Sequence, residues 1–160
     1  MPATPITPAI RYFRPGVTKV VFAATVANKA SPTRAEINAG TDLSGDVASS
    51  DGFQPASNFL DAPDLNSSFV AKVAGGLEVG DSSLTMYQSS NSVDARSLLP
   101  RTTTGFILWF DEGDVAGRKA DTFPVTVGSL VKLRDLGEVA RLQISFAITS
   151  APAVDWTVPA

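Results

Sequence analysis

The chain has 160 residues, an apolar content of 44%, nine Phe and two Trp, which is enough for one folded core and excludes disorder throughout. Cysteine and histidine are both absent. That excludes disulfides, thiolate nucleophiles, Cys-type zinc and iron–sulfur centres, and the commonest neutral-pH base and metal ligand.

Charged residues make up only 18% of the chain, and the formal net charge of -3 is unevenly spread. Arg11, Arg14, Lys19, Lys29 and Arg34 are the only charged side chains before Glu36. Glu36, Asp42, Asp46, Asp51, Asp61 and Asp64 then follow with no base until Lys72. This split serves local solubility, or it lets a basic end of one copy meet an acidic loop of another. The basic residues are too sparse for a nucleic-acid patch.

The N-terminus, MPATPITPAIRYF, lacks the basic start and continuous apolar stretch of a signal peptide. Pro2, Pro5 and Pro8 make it extended or irregular. Residues 1–15 therefore read as an arm, loose or laid across a neighbour, and residues 16–160 as one β domain. No apolar run is long enough to cross a membrane as a helix, so no membrane insertion is expected.

The first strand is expected at Lys19–Thr25, with Val20 and Phe22 on one face and Val21 and Ala23 on the other. The segment SPTRAEINAG predicts a helix of about two turns, capped by Ser31, with Pro32 in its first position and Gly40 at its stop. Asp42–Gly45 continues as a turn. Residues 48–80 are expected to form a long loop or hairpin: turn signals dominate, short strands are possible at Gly52–Gln54 and Ser57–Leu60, and Gly75-Gly76 reads as a turn. A structureless loop of that length implies a binding role.

Ser82–Gln88 alternates cleanly, with Leu84 and Met86 opposite Ser83, Thr85 and Tyr87. SNSVDARSLLP predicts a second short helix capped by Ser92 and stopped by Pro100, with Val93, Leu98 and Leu99 burying one side. Phe106–Phe110, FILWF, is a strand apolar on both faces. Asp111–Asp121 is a charged turn. Thr122–Leu133 follows, with Phe123, Val125, Val127, Val131 and Leu133 of one parity, and Pro124 marking an edge, a bulge or a strand start. Ala140–Ile148 alternates with Leu142, Ile144, Phe146 and Ile148 inward, and Val154–Val158 adds a last strand containing Trp156. Six to eight strands and one or two short helices, without a βαβ rhythm, predict a mainly β protein: an antiparallel barrel or sandwich with a helix at its side.

No Ser–His–Asp, Cys–His or phosphate-loop arrangement is present. Gly113 and Gly117 read as loop formers. Asp111, Glu112 and Asp114 form the one dense carboxylate cluster. A solvated turn, a calcium site and a carboxylate pair for hydrolysis are its readings, and its spacing is not that of an EF-hand. Asp61 and Asp64 flank Pro63 as turn formers. Trp109 and Trp156 read as core or subunit-contact residues, with a sugar platform as the alternative. No catalytic, cofactor or metal residue is assigned.

Five stretches resemble the major tail tube proteins of long-tailed bacteriophages, in particular those of actinobacterial siphophages. They are Ser31–Val47, Gly52–Leu65, Asp81–Tyr87, Leu98–Val127 and Ala140–Pro152, in that order. The resemblance implies a β-barrel or sandwich with a flanking helix and a structural virion protein, not an enzyme, assembled in the host cytoplasm without a cofactor. It implies hexameric rings stacked head to tail around a lumen that holds the tape measure protein and later passes DNA. Tail terminator and distal tail proteins would lie at the ends. Residues 1–15 and 48–80 would then make contacts between subunits or rings, two-sided strands would continue a sheet across subunits, and some acidic side chains would face the lumen. The competing readings are a carbohydrate- or receptor-binding β-sandwich of a virion or cell surface, and a tube protein of a contractile or secretion-like apparatus.

Overall fold

The computed structural model describes Ala3 and residues 5–160. Met1, Pro2 and Thr4 lie outside the described residues, and the expectation of an extended Pro2 lies with them. Among the described residues, ten strands and two helices follow in chain order. They are β1 (Lys19–Ala23), α1 (Arg34–Ala39), β2 (Thr41–Asp42), β3 (Val47–Asp51), β4 (Pro55–Ala62), β5 (Ala71–Val79), β6 (Ser82–Tyr87), α2 (Ala95–Leu98), β7 (Thr104–Phe110), β8 (Lys119–Leu133), β9 (Arg141–Ile148) and β10 (Ala153–Thr157). The count exceeds six to eight because β2 and β3 arise in segments whose polar composition reads as turn or loop, and because the loop-or-hairpin segment at 48–80 takes its hairpin form, with β4 longer than the Ser57–Leu60 strand.

Eight strands form one antiparallel sheet, in the order β2-β1-β7-β8-β9-β6-β3, with β10 also paired to β8. The sheet curls on itself. The Val20 amide donates to Ser44 Oγ at 2.8 Å and the Leu43 amide to the Val20 carbonyl at 2.8 Å, which ties the β2–β3 connection back onto β1. The product is a partly open barrel filled by Val20, Phe22, Leu84, Met86, Leu99, Ile107, Phe123, Val125, Val127, Leu142, Ile144 and Phe146.

A second core lies outside the barrel wall. Val21, Ala23, Leu108, Phe110 and Ala120 point away from the barrel and are covered by Val26, by Ile37 of α1, and by Trp156 and Val158 of the C-terminal segment. This explains why FILWF does not alternate. Ile107 and Trp109 face the barrel interior, while Phe106, Leu108 and Phe110 face the α1–β10 layer.

Several local expectations are corrected. Helix α1 starts two residues later than Ser31 suggests: Thr33 is the cap, Glu36 closes a capping box, and Pro32 precedes the helix. Gly40 ends it in extended backbone, and glycine is needed there because a Cβ would meet Val21 Cγ1 at 2.5 Å. Asp94, not Ser92, caps α2, and Val93 is exposed. Gly75 and Gly76 lie within β5 and do not form a turn.

In β8 a bulge between Val127 and Ser129 flips the alternation. Leu130 therefore packs on the core while Val131 stands 49% exposed. Pro124 sits in the middle of this central strand. Its carbonyl accepts from the Thr149 amide at 3.0 Å. Ile148 of β9 faces Val125 and Ala153 of β10 faces Thr122, so the side on which Pro124 lacks an N–H is the gap between those two strands.

Candidate assembly surfaces

Four surfaces distinguish this body from a self-sufficient barrel. The first is the β4–β5 hairpin. Its strands pair only with each other, from Pro55↔Val79 to Ala62↔Ala71. Phe59, Leu60, Leu65, Phe69, Val73 and Leu77 are all exposed on it. A lone two-stranded ribbon is marginal in water, and apolar exposure on this scale marks a contact surface.

The second is the arm. Residues 5–13 carry no regular structure and are exposed, with Ile6 at 91% and Ile10 at 95%. It is anchored at its root, where Arg14 pairs with Asp111.

The third is the half-sheet β3-β6-β9 together with β8 beyond its bulge. Among the described residues, no helix packs over its outer face. Three rows of side chains cross it: Ser129–Ser145–Ser83–Asp51, Val131–Gln143–Thr85–Ser49 and Leu133–Arg141–Tyr87. Ser129 and Ser145 hydroxyls lie 2.7 Å apart, and Gln143 Nε2 donates to Ser83 Oγ at 3.2 Å. Both edges of this half-sheet are open. Among the described residues, strand β3 pairs on one side only, and β8 has no partner on its β7 side after Val127.

The fourth is a cleft of about 960 Å³ at the seam of the barrel. One wall is Trp109 of β7, Asp111 just beyond it, and Asp121 and Phe123 of β8; Ser49, Ser50 and the Gly52–Pro55 link face it, and Arg14 and Lys19 line its rim. Phe53 organises it. Gly52 and Phe53 both have positive φ, 76° and 56°, which turns the chain from β3 into the hairpin and drives the Phe53 ring inward. That ring meets Trp109, Phe123 and Phe146 at centroid distances of 5.6, 5.3 and 5.9 Å. No periodicity in the sequence announces Phe53, since its role depends on two left-handed residues.

The carboxylate cluster is dispersed among arginines. Asp111 pairs with Arg14, Glu112 with Arg118 at 3.1 Å, and Asp114 with Arg34 at 2.6 Å. Arg34 also donates to the Pro159 carbonyl, so Arg34 of α1 ties the β7–β8 connection to the C-terminal segment. Among the described residues, no three carboxylates gather as a metal site. Asp61 pairs with Lys72 across the hairpin at 2.6 Å. Asp121 is half-buried in the cleft wall. Burial pushes its carboxyl above the usual range, and Asp155 and Asp111 add repulsion, against one hydrogen bond from the Asp155 amide at 2.8 Å. Trp156 is buried against Phe110, which removes it as a sugar platform. Trp109 is half-buried, and its Nε1 donates to Asp111 at 3.2 Å.

A family model described as phage tail tube protein matches residues 4–160. The chain belongs to that family. No curated protein matches the sequence. Among solved structures, a chain of the six-fold symmetrised anti-feeding prophage baseplate shares the fold, with a TM-score of 0.56 at 13% identity over 91% of this chain and 94% of that one. A chain from the tail of an empty GTA particle, refined helically with C6 symmetry, gives a TM-score of 0.50 at 10% identity over 86% and 93%. The tail tube chain is thus a structural component of the virion tail. Among the described residues, no helix is long and apolar enough to cross a membrane. The four surfaces are features of a subunit whose family works in the assembled state.

Proposed function

We propose that six copies close into a ring, that rings stack head to tail as the tail tube, and that the half-sheet β3-β6-β9-β8 lines the lumen. The observation that carries this reading is the pair of open edges on that half-sheet. Successive strands alternate in direction, so β3 and the end of β8 are antiparallel. The β8 edge of one copy can then extend the β3 edge of the next without changing the sheet pattern. Unpaired edges are a hazard for a monomer and are removed when the ring closes. The C6 symmetry belongs to the GTA tail and supports the choice of six.

The face turned to the lumen would be mostly hydroxyl and amide, with Asp51 as the carboxylate in its rows. The cation in register on this face, Arg141, is tied to Glu138, so the face would offer phosphates little to hold and DNA would slide. The tape measure protein would occupy the same lumen before DNA, and terminator and distal tail proteins would close the two ends. The hairpin and the arm would join subunits or rings. The work is done by shape, so this reading assigns no catalytic, cofactor or metal residue.

Negative-stain microscopy of the concentrated protein tests the proposal. Rings or tubes with a central channel are expected. A compact monomer at every concentration and salt tested would overturn it.

A further inference from the structure

We propose that the open face of the half-sheet is zoned along its strands, and that its apolar zone, built from Val131, Leu133 and Tyr87, grips an amphipathic helical segment of a protein held in the lumen. This rests on the reading that copies close a ring through β3 and β8. Three observations carry it.

The first is the apolar zone. Leu133 of β8 and Tyr87 of β6 flank Arg141 in one row, and Val131 stands in the row beside it. Val131 is 49% and Tyr87 42% exposed, and Leu133 is half-buried. The row of Ser129, Ser145 and Ser83 carries no apolar group. When β8 of one copy meets β3 of the next, the rows run on across the junction. The zone then repeats around the lumen as a girdle, and apolar exposure on that scale marks a contact surface.

The second is charge. At the other end of the same strands, Asp51 and Asp81 border a depression of about 460 Å³ with Ser83, Gln143 and Ser145. No base lines it, and neither carboxylate has an ion pair among the described residues. This acidic zone repels phosphates and is complementary to lysine or arginine, while Val131 and Leu133 offer DNA nothing.

The third is the sheet edges. Ring closure uses both, so an occupant cannot add a strand to this face. A helix satisfies its own backbone and presents an apolar stripe. Arg141 and Ser145, which mark the two zones, lie four positions apart on β9, roughly 13 Å at about 3.3 Å per residue. A helix spans that length in about nine residues. The fitting segment therefore carries a leucine-type stripe with a basic residue about nine positions along it.

The test sediments tubes of the full-length protein with a fluorescent Leu- and Lys-containing helical peptide of this pattern. The peptide should pellet with the tubes. A peptide of the same composition in shuffled order and a short DNA duplex should stay in the supernatant. Val131→Ser/Leu133→Ser should lower the pelleted fraction several-fold, and Gln143→Leu, which widens the girdle from an exposed position, should raise it. Parent tubes that bind the patterned and shuffled peptides alike, or DNA as well as either, overturn the proposal. So does unchanged binding by Gln143→Leu tubes, which decides the matter if the serine variant does not fold. Serine-variant tubes that shorten yet bind like the parent assign the girdle to ring stacking and also overturn it. A parent that forms no tubes, seen by microscopy before any peptide is added, overturns the ring reading itself.

Discussion

Gly105 and Phe22 share a boundary that leaves no room for a methyl group. A Cβ on Gly105 would lie 2.6 Å from Cε2 and Cζ of the Phe22 ring and 2.8 Å from the Ala23 carbonyl. Both neighbours belong to the packed barrel, so neither can retreat cheaply. Gly105→Ala is expected to lose about 1–3 kcal/mol of unfolding free energy, the usual cost of overpacking. Gly76→Ala, whose Cβ meets nothing within 4 Å, is the control and should be near neutral. Urea unfolding of both variants checks this.

Asp94 gives an acid-sensitive contribution. Its carboxylate binds Arg96, whose Nη2 lies at 2.6 Å, and accepts from the Arg96 and Ser89 amides at 3.0 Å. These contacts, the Arg96 side chain first, hold its pKa at about 2, below the usual 3.8. The pKa is depressed in the fold, so the contribution is complete above the unfolded value and fades as pH falls from about 4 towards 2. Asp94→Ala should remove this acid sensitivity and also the helix cap, at about 1 kcal/mol near neutral pH. Unfolding curves at several pH values separate the two effects.

Asp121 carries the opposite sign. Its pKa is raised, so the folded state favours the protonated carboxyl. That contribution is complete below the unfolded value near 3.8 and is lost as pH rises through the higher folded value. Asp121→Asn keeps an oxygen for the Asp155 amide and removes the charge. The variant should gain stability relative to the parent as pH rises across this window, measured on the monomer. A parallel pair of curves would contradict the assignment.

Ring closure through sheet edges predicts a charge-swap rescue. Lys132 stands level with Val47 across the half-sheet, through Leu142 and Met86. Asp46 precedes Val47, so an edge pairing of β8 with a neighbour's β3 brings Lys132 near the neighbour's Asp46. Lys132→Glu should reduce ring formation several-fold while leaving the melting temperature of the monomer within a few degrees, as exposed pairs contribute little to folding. Adding Asp46→Lys should restore rings.

The hairpin should be dispensable for folding and required for assembly. Replacing residues 56–78 with a short Gly-Ser turn removes a ribbon that pairs only with itself. The expected outcome is a folded monomer by circular dichroism that forms no stacked tubes by sedimentation.

Strands with strict alternation were legible from the sequence: β6 and β9 sit as their parity dictates, with Leu84, Met86, Leu142 and Ile144 buried. The two-sided character of Phe106–Phe110 was legible too, because a covered strand loses alternation. What was hidden depends on backbone that composition does not encode. The bulge near Gly128 moved Val131 outward. The left-handed pair at Gly52 and Phe53 created the aromatic wall of the cleft. Polar strand β3 read as loop, and β4 was legible only in part, as a short strand at Ser57–Leu60, since a strand that is not buried by its own subunit lacks clean apolar alternation. The open face was equally silent, because serine and threonine rows mean little until strand register aligns them.

The strand order also sets a timetable. Strand β1 is made first yet finds its main partner in β7, and the half-sheet gains its centre only when β9 joins β6 to β8. Such distant pairings are slow to form. On the proposed edge pairing, a chain still emerging from the ribosome would lack one of its two mating edges. Polymerisation would then wait until synthesis is nearly complete, and the order in which the strands are made would keep unfinished subunits out of the growing tube.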